Sequence, residues 1–150
     1  MQRLHVCMAY GYVYVAKIAM GANPEQTLKA LREAEAYPGP SLIIAYAPCI
    51  NHGVKAGMNK SMLEMKNAVR SGYWNLMRFN PELAEQGENP LFIDSARPTE
   101  SYRDFIMGEV RYNSLKLKFP DRAEKLFTKA EEQSRERYEH LVNEKKSMDN

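Results

Sequence analysis

Two short runs in this chain carry no polar residue in alternate positions, and that limits the folds open to it. Tyr12-Val13-Tyr14-Val15-Ala16 is β-branched and aromatic, and Leu42-Ile43-Ile44-Ala45-Tyr46-Ala47 is continuously apolar. A strand that faces water on one side alternates apolar and polar residues; a strand with neither face polar expects cover on both, as in a parallel sheet. Between the runs lies one helix with strong local signals. Asn23 stands at the N-cap, Pro24 at the first helical position and Gln26 at the third, a combination that satisfies the free N–H groups of a first turn. Leu28, Leu31 and Glu35 then line one side, with Ala30 and Ala34 beside them, and Pro38-Gly39-Pro40 ends the helix. Strand, helix and strand joined by about twenty residues of crossover make a right-handed βαβ unit. Chemistry in open α/β sheets collects beyond the carboxyl ends of the strands. The segment Pro48-Cys49-Ile50-Asn51-His52-Gly53 occupies that address.

The flanking sequence reads as helical. Residues 3–9 read as the last turns of a helix with Leu4, Cys7 and Met8 on one face and Gly11 at its end, so the chain is expected to open partway through a larger unit. Ser61-x-x-Glu64 has the form of a capping box. It opens a helix striped by Met62, Met65, Val69, Tyr73 and Leu76, expected to run to Phe79-Asn80-Pro81. Residues 80–90 read as a polar loop, and Leu91-Phe92-Ile93-Asp94 as a short strand. A further helix is expected from Tyr102 to about Phe119. A last one starts at Pro120, apolar at Leu126, Phe127, Ala130, Tyr138 and Leu141, with a frayed tail from Glu144.

The chain's 150 residues carry 21 basic and 19 acidic side chains, a net charge of +2. Near balance, it offers no electrostatic case for binding nucleic acid or an anionic membrane. No apolar run approaches the roughly 18–20 residues that span a bilayer. The first residues lack the apolar core of an export signal. With only Cys7 and Cys49, a disulfide framework is not expected, and the expected compartment is the cytoplasm.

The longer strings resemble the pyruvate:ferredoxin (or flavodoxin) oxidoreductase family. They are Tyr10-Gly11-Tyr12-Val13-Tyr14-Val15-Ala16 with Ala19-Met20-Gly21, the run from Glu35 through Gly39-Pro40-Ser41 to Cys49-Ile50-Asn51-His52-Gly53, and Gly72-Tyr73-Trp74. Asn89-Pro90-Leu91-Phe92 and Phe105-Ile106-Met107-Gly108-Glu109-Val110-Arg111-Tyr112 extend the likeness over essentially the whole chain. The resemblance implies an α/β fold: residues 1–60 as the terminal βαβ portion of a parallel-sheet thiamine-diphosphate-binding domain, and residues 61–150 as a mostly helical C-terminal extension of that domain. It implies a parent enzyme, an expected homodimer, that decarboxylates pyruvate with coenzyme A to acetyl-CoA and CO2. Electrons pass through 4Fe–4S clusters to ferredoxin or flavodoxin.

By the same resemblance Cys49 is the fourth thiolate of the cluster nearest the thiamine. The Gly-Asp-Gly motif that anchors Mg²⁺ and thiamine diphosphate in such domains is absent from this sequence, as are Cys-x-x-Cys runs. No catalytic or thiamine-binding residue is therefore expected here, and the 150 residues alone are expected to be inactive. A stand-alone interaction or oligomerisation module derived from the domain is the alternative. Cys7 reads as packing. His52, followed by Lys55, reads as a loop histidine near solvent, the alternative being a hydrogen bond toward the cluster. Tyr12, Tyr14 and Trp74 read as core or domain interface, and the Met62/Met65 stripe as core, the alternative being a soft metal site. The charged last helix reads as a solvated face, the alternative being a docking surface for acidic ferredoxin.

Overall fold

In the computed structural model, which describes residues 7–49 and 57–149, the apolar run after Gly11 forms β1 (Tyr14–Ile18). Helix α1 (Pro24–Ala36) follows, with the Asn23 side chain accepting the Gln26 N–H at 3.0 Å as the capping residues require. Strand β2 (Ser41–Ala45) then pairs parallel with β1, Tyr14 opposite Ser41 and Ile18 opposite Ala45. The βαβ unit is thus formed where the sequence placed it.

Every residue of β1 is buried. Tyr14, Ala16 and Ile18 pack toward Ala30 on α1, whereas Val15 faces Met77, Phe79, Leu91 and Leu141 on the other side. This two-sided cover is what the unalternated run called for, and each large side chain so buried contributes about 1.5–3 kcal/mol. The same face carries Lys17, whose ammonium lies 4.1 Å from the Trp74 ring centroid; burial, with Arg137 nearby, lowers its pKa to about 8. The equivalent expectation for the second run fails. β2 lies at the end of the sheet, with its first and last residues exposed and its centre half-covered.

The second half of the chain departs from its reading in several places. Helix α2 (Ser61–Arg70) ends nine residues before Phe79, because Gly72 takes a left-handed backbone (φ 75°) and donates its N–H to the Val69 carbonyl. A side chain at Gly72 would also press on Pro98, 2.8 Å from where a Cβ would sit. The capping box does not form: Lys60 is the cap residue, and the Ser61 hydroxyl bonds the Met58 carbonyl. Met62 is exposed, as is Tyr12, so neither is core, while Met65 accepts the Gly21 N–H.

Strand β3 (Met77–Phe79) was hidden inside the expected helix, and α3 (Pro81–Glu85), capped by Asn80, inside the expected loop. β3 pairs antiparallel with β1 and with β4 (Leu91–Ile93), giving a mixed sheet in the order β2-β1-β3-β4. The fold is α/β, but the sheet is not wholly parallel. The helix expected over 102–119 is two, α4 (Tyr102–Gly108) and α5 (Val110–Lys118), broken where Glu109 takes an extended backbone. Helix α6 (Pro120–Ser147) continues through the segment expected to fray and lays Ala123, Phe127, Ser134 and Leu141 inward, leaving Leu126 exposed. Phe127 and Ala123 join Ala68, Tyr102, Phe105 and Ile106 in an all-helical core beside the sheet.

Candidate functional site

Beyond the carboxyl end of β2 the chain continues through Tyr46, Ala47 and Pro48 to Cys49, whose side chain is exposed. It stands in a cleft of about 590 Å³ lined by Tyr46, Tyr73, Glu109, Arg111 and Tyr112. The helix breaks at Glu109, and that residue lines the cleft together with Arg111, Tyr112 and Leu115 of α5. The address read from the βαβ pattern is therefore a real depression with a thiol at its rim.

The walls are aromatic. Tyr46 packs edge-on to Tyr73 at 6.0 Å and lies 5.6 Å from Trp74, and Tyr73 continues to Phe105 at 4.9 Å. The Tyr73 and Tyr112 hydroxyls meet at 3.4 Å. Burial pushes the phenols of Tyr46 and Tyr73 well above their ordinary range, so both stay protonated and able to donate a hydrogen bond. Neutral donors set in an apolar wall suit an anionic, polarisable guest such as a sulfur-ligated group.

Cys7 is apart from this site and packs against the cluster of Val15, Phe79 and Leu141, as expected. His52 and Lys55 lie outside the described residues. Trp74 is half-buried and donates its indole N–H to the Ile18 carbonyl at 3.1 Å, tying the aromatic wall to the end of β1. The site residues that sequence reading missed are Tyr46, Tyr73, Glu109 and Tyr112. Tyr73 was assigned to a helical stripe, and Glu109 carried no local sign of a helix break.

A 4Fe–4S cluster takes four ligands, usually thiolates. The chain has two cysteines, and Cys49 alone faces the cleft. Among the described residues no three His, Cys, Asp or Glu side chains are grouped to hold a metal ion. The donor chemistry of the cleft thus fits one ligand position of such a cluster and no more. Nothing here fits the Mg²⁺ and diphosphate of thiamine, since the Gly-Asp-Gly motif is absent from the sequence. No described helix is long and apolar enough to cross a membrane.

No protein-family model matches the chain. Among curated proteins it is 59% identical over 134 residues to a pyruvate:ferredoxin oxidoreductase of Moorella thermoacetica. It is 58% identical over 134 residues to a pyruvate-flavodoxin oxidoreductase of Enterobacter agglomerans. Each alignment covers 89% of this chain and 11% of the relative. A mitochondrial pyruvate dehydrogenase (NADP+) of Euglena gracilis is 46% identical over 121 residues, 81% of this chain and 7% of that protein. The chain therefore spans about a tenth of the length of the relatives it matches.

Proposed function

Because this chain matches a section of the pyruvate:ferredoxin (flavodoxin) oxidoreductase family, we propose that it is the C-terminal part of that enzyme's thiamine-diphosphate-binding domain and supplies one cluster ligand. The parent reaction is the oxidative decarboxylation of pyruvate to acetyl-CoA and CO2, with ferredoxin or flavodoxin as electron acceptor. The observation that carries this reading is the meeting of two independent facts at one residue. Cys49 lies in the string that gives the family resemblance, and it is the exposed thiol at the rim of the cleft beyond β2.

A 4Fe–4S cluster, when bound, supplies one-electron transfer. The chain's own contribution is to place a thiolate on a short, backbone-anchored segment: the Tyr46 N–H donates to the Ile18 carbonyl at 2.9 Å, holding the start of the loop to the end of β1. The protonated phenols of Tyr46 and Tyr73 offer donors beside it, and the aromatic wall keeps water from that side. Thiamine binding, pyruvate and coenzyme A belong to polypeptide outside these residues.

Replacing Cys49 by Ala in the full-length enzyme tests the assignment. Iron content and the EPR signal of the reduced cluster should fall together and electron delivery to a viologen dye should collapse, with pyruvate decarboxylation partly kept. Full iron occupancy with normal dye reduction would remove Cys49 from the ligand set.

A further inference from the structure

A second cavity, about 390 Å³, opens between α2 and α4 and shares no wall residue with the Cys49 cleft. Its lining includes three carboxylates, Glu64, Glu100 and Asp104, and the amide of Asn67. The acids differ in how they are held. Glu100 is exposed and meets Arg70 at 3.2 Å, and Asp104 is an exposed residue of the first turn of α4. Glu64 is 8% exposed, and its Oε1 has no hydrogen-bond partner. A buried carboxylate oxygen left without a donor is unfavourable unless a proton or a cation reaches it.

Burial raises the pKa of Glu64 above its ordinary value, and the neighbouring Glu109, at the break between α4 and α5, raises it further. Gly108 leaves space: a Cβ on it would lie 3.8 Å from Glu64 Oε1. Tyr46 is the other titratable group that senses both carboxyls, and Arg70 is the cation paired at the cavity's edge.

We propose that this cavity is a binding site for an organic cation, an alkylammonium or guanidinium group, received by Glu64 with Asp104 and Glu100 around it. Such a group spreads several N–H donors over separate acceptors and needs no compact ligand sphere. A directly coordinated metal ion would need one, and no three acidic, His or Cys side chains among the described residues are so grouped. Burial and the neighbouring Glu109 favour the protonated form of Glu64, so an arriving cation displaces that proton.

The test is calorimetric titration of the 150-residue chain with arginine amide near neutral pH, in two buffers of different ionisation enthalpy. Saturable binding with net proton release is expected. Glu64→Gln, which keeps the shape and can donate to Glu109, should weaken binding about tenfold or more, as loss of a charge-assisted hydrogen bond does. Asp104→Asn, a surface change that leaves the fold alone, should weaken it by a smaller factor. No saturable heat, or binding indifferent to both substitutions, overturns the proposal.

Repeating the titration on the longer oxidoreductase separates two sources of the cation. Binding there means a free ligand. No binding, with a carbon-13-labelled Glu64 carboxyl reading as ionised, means a side chain of the surrounding polypeptide fills the cavity. No binding with that carboxyl protonated overturns the proposal. These readouts do not depend on Cys49 or on cluster content.

Discussion

Among the described residues, two partly buried clusters of acidic side chains are built in opposite ways. On the α1 side of the sheet, Arg78 in β3 is 4% exposed and donates Nε and Nη2 to the two oxygens of Asp94, each at 2.9 Å, and Nη1 to Glu33 on α1. Both carboxylates find further donors. Tyr14 gives its hydroxyl to Glu33 at 2.9 Å, and Gln26 gives its amide to Asp94 at 3.0 Å. Between the helices, burial and the neighbouring Glu109 favour protonation of Glu64, and its Oε1 has no hydrogen-bond partner. The first cluster is closed by its own cation and ties α1, β3 and the end of β4 together. The second is left open to whatever proton or cation arrives. A self-satisfied network is a structural device, and an unsatisfied one has room for a ligand.

The largest expected effect breaks the closed cluster. Arg78→Met removes the cation and leaves Glu33 and Asp94 as buried like charges with donors on one side only. Losing one partner of a buried network costs about 3–5 kcal/mol, so the denaturant midpoint should drop steeply. A drop under about 1 kcal/mol, the range of an exposed pair, would mean the cluster is no tighter than a surface contact.

Glu64→Gln should act in the opposite direction. The carboxyl of Glu64 is held above its ordinary value of 4.5, by burial first and then by Glu109. The folded state therefore binds more protons than the unfolded one in that range. Its stabilising share is complete below the unfolded value and is lost as pH rises through the higher folded one. The wild-type chain should thus lose stability from mildly acidic toward neutral pH, and the variant should flatten that slope. At neutral pH it should be the more stable protein by about 1 kcal/mol, the scale of one hydrogen bond. Melting curves across pH decide it; parallel profiles for both proteins would show that Glu64 does not hold a proton.

The smallest effect sharpens the contrast from outside. Arg103 grips Glu124 with two bonds, at 2.7 and 3.0 Å, but the Glu124 side chain is 61% exposed. Glu124→Gln should cost only about 0.2–1 kcal/mol, and salt should erase most of it. A loss approaching that of Arg78→Met would make geometry, not burial, the quantity that separates the clusters.

Both acidic clusters escaped the sequence reading for the same reason. Glu64 has a local explanation, the third position after Ser61, and that explanation is wrong because Lys60 and the turn before it take over the helix start. Glu33 and Arg78 are 45 residues apart and Asp94 a further 16 from Arg78. No local pattern links them. Cys49 stands at the cleft because it follows directly from the second apolar run; its aromatic neighbours escaped the sequence reading, because Tyr73 comes from the turn after α2 and Tyr112 from α5, at a distance in the chain.

What the sequence by itself determined is local. It holds the capped α1, the two apolar runs, the Pro120 start of α6 and the string around Cys49, since each rests on neighbours within a few residues. Tertiary structure alone decided that three residues, Met77–Phe79, leave a helical stripe to become a central strand. It also set the break at Glu109 and the edge position of β2. A three-residue strand has almost no intrinsic preference. Met77–Phe79 becomes one because β1 on one side and β4 on the other offer its backbone hydrogen bonds that no helix could supply at that place.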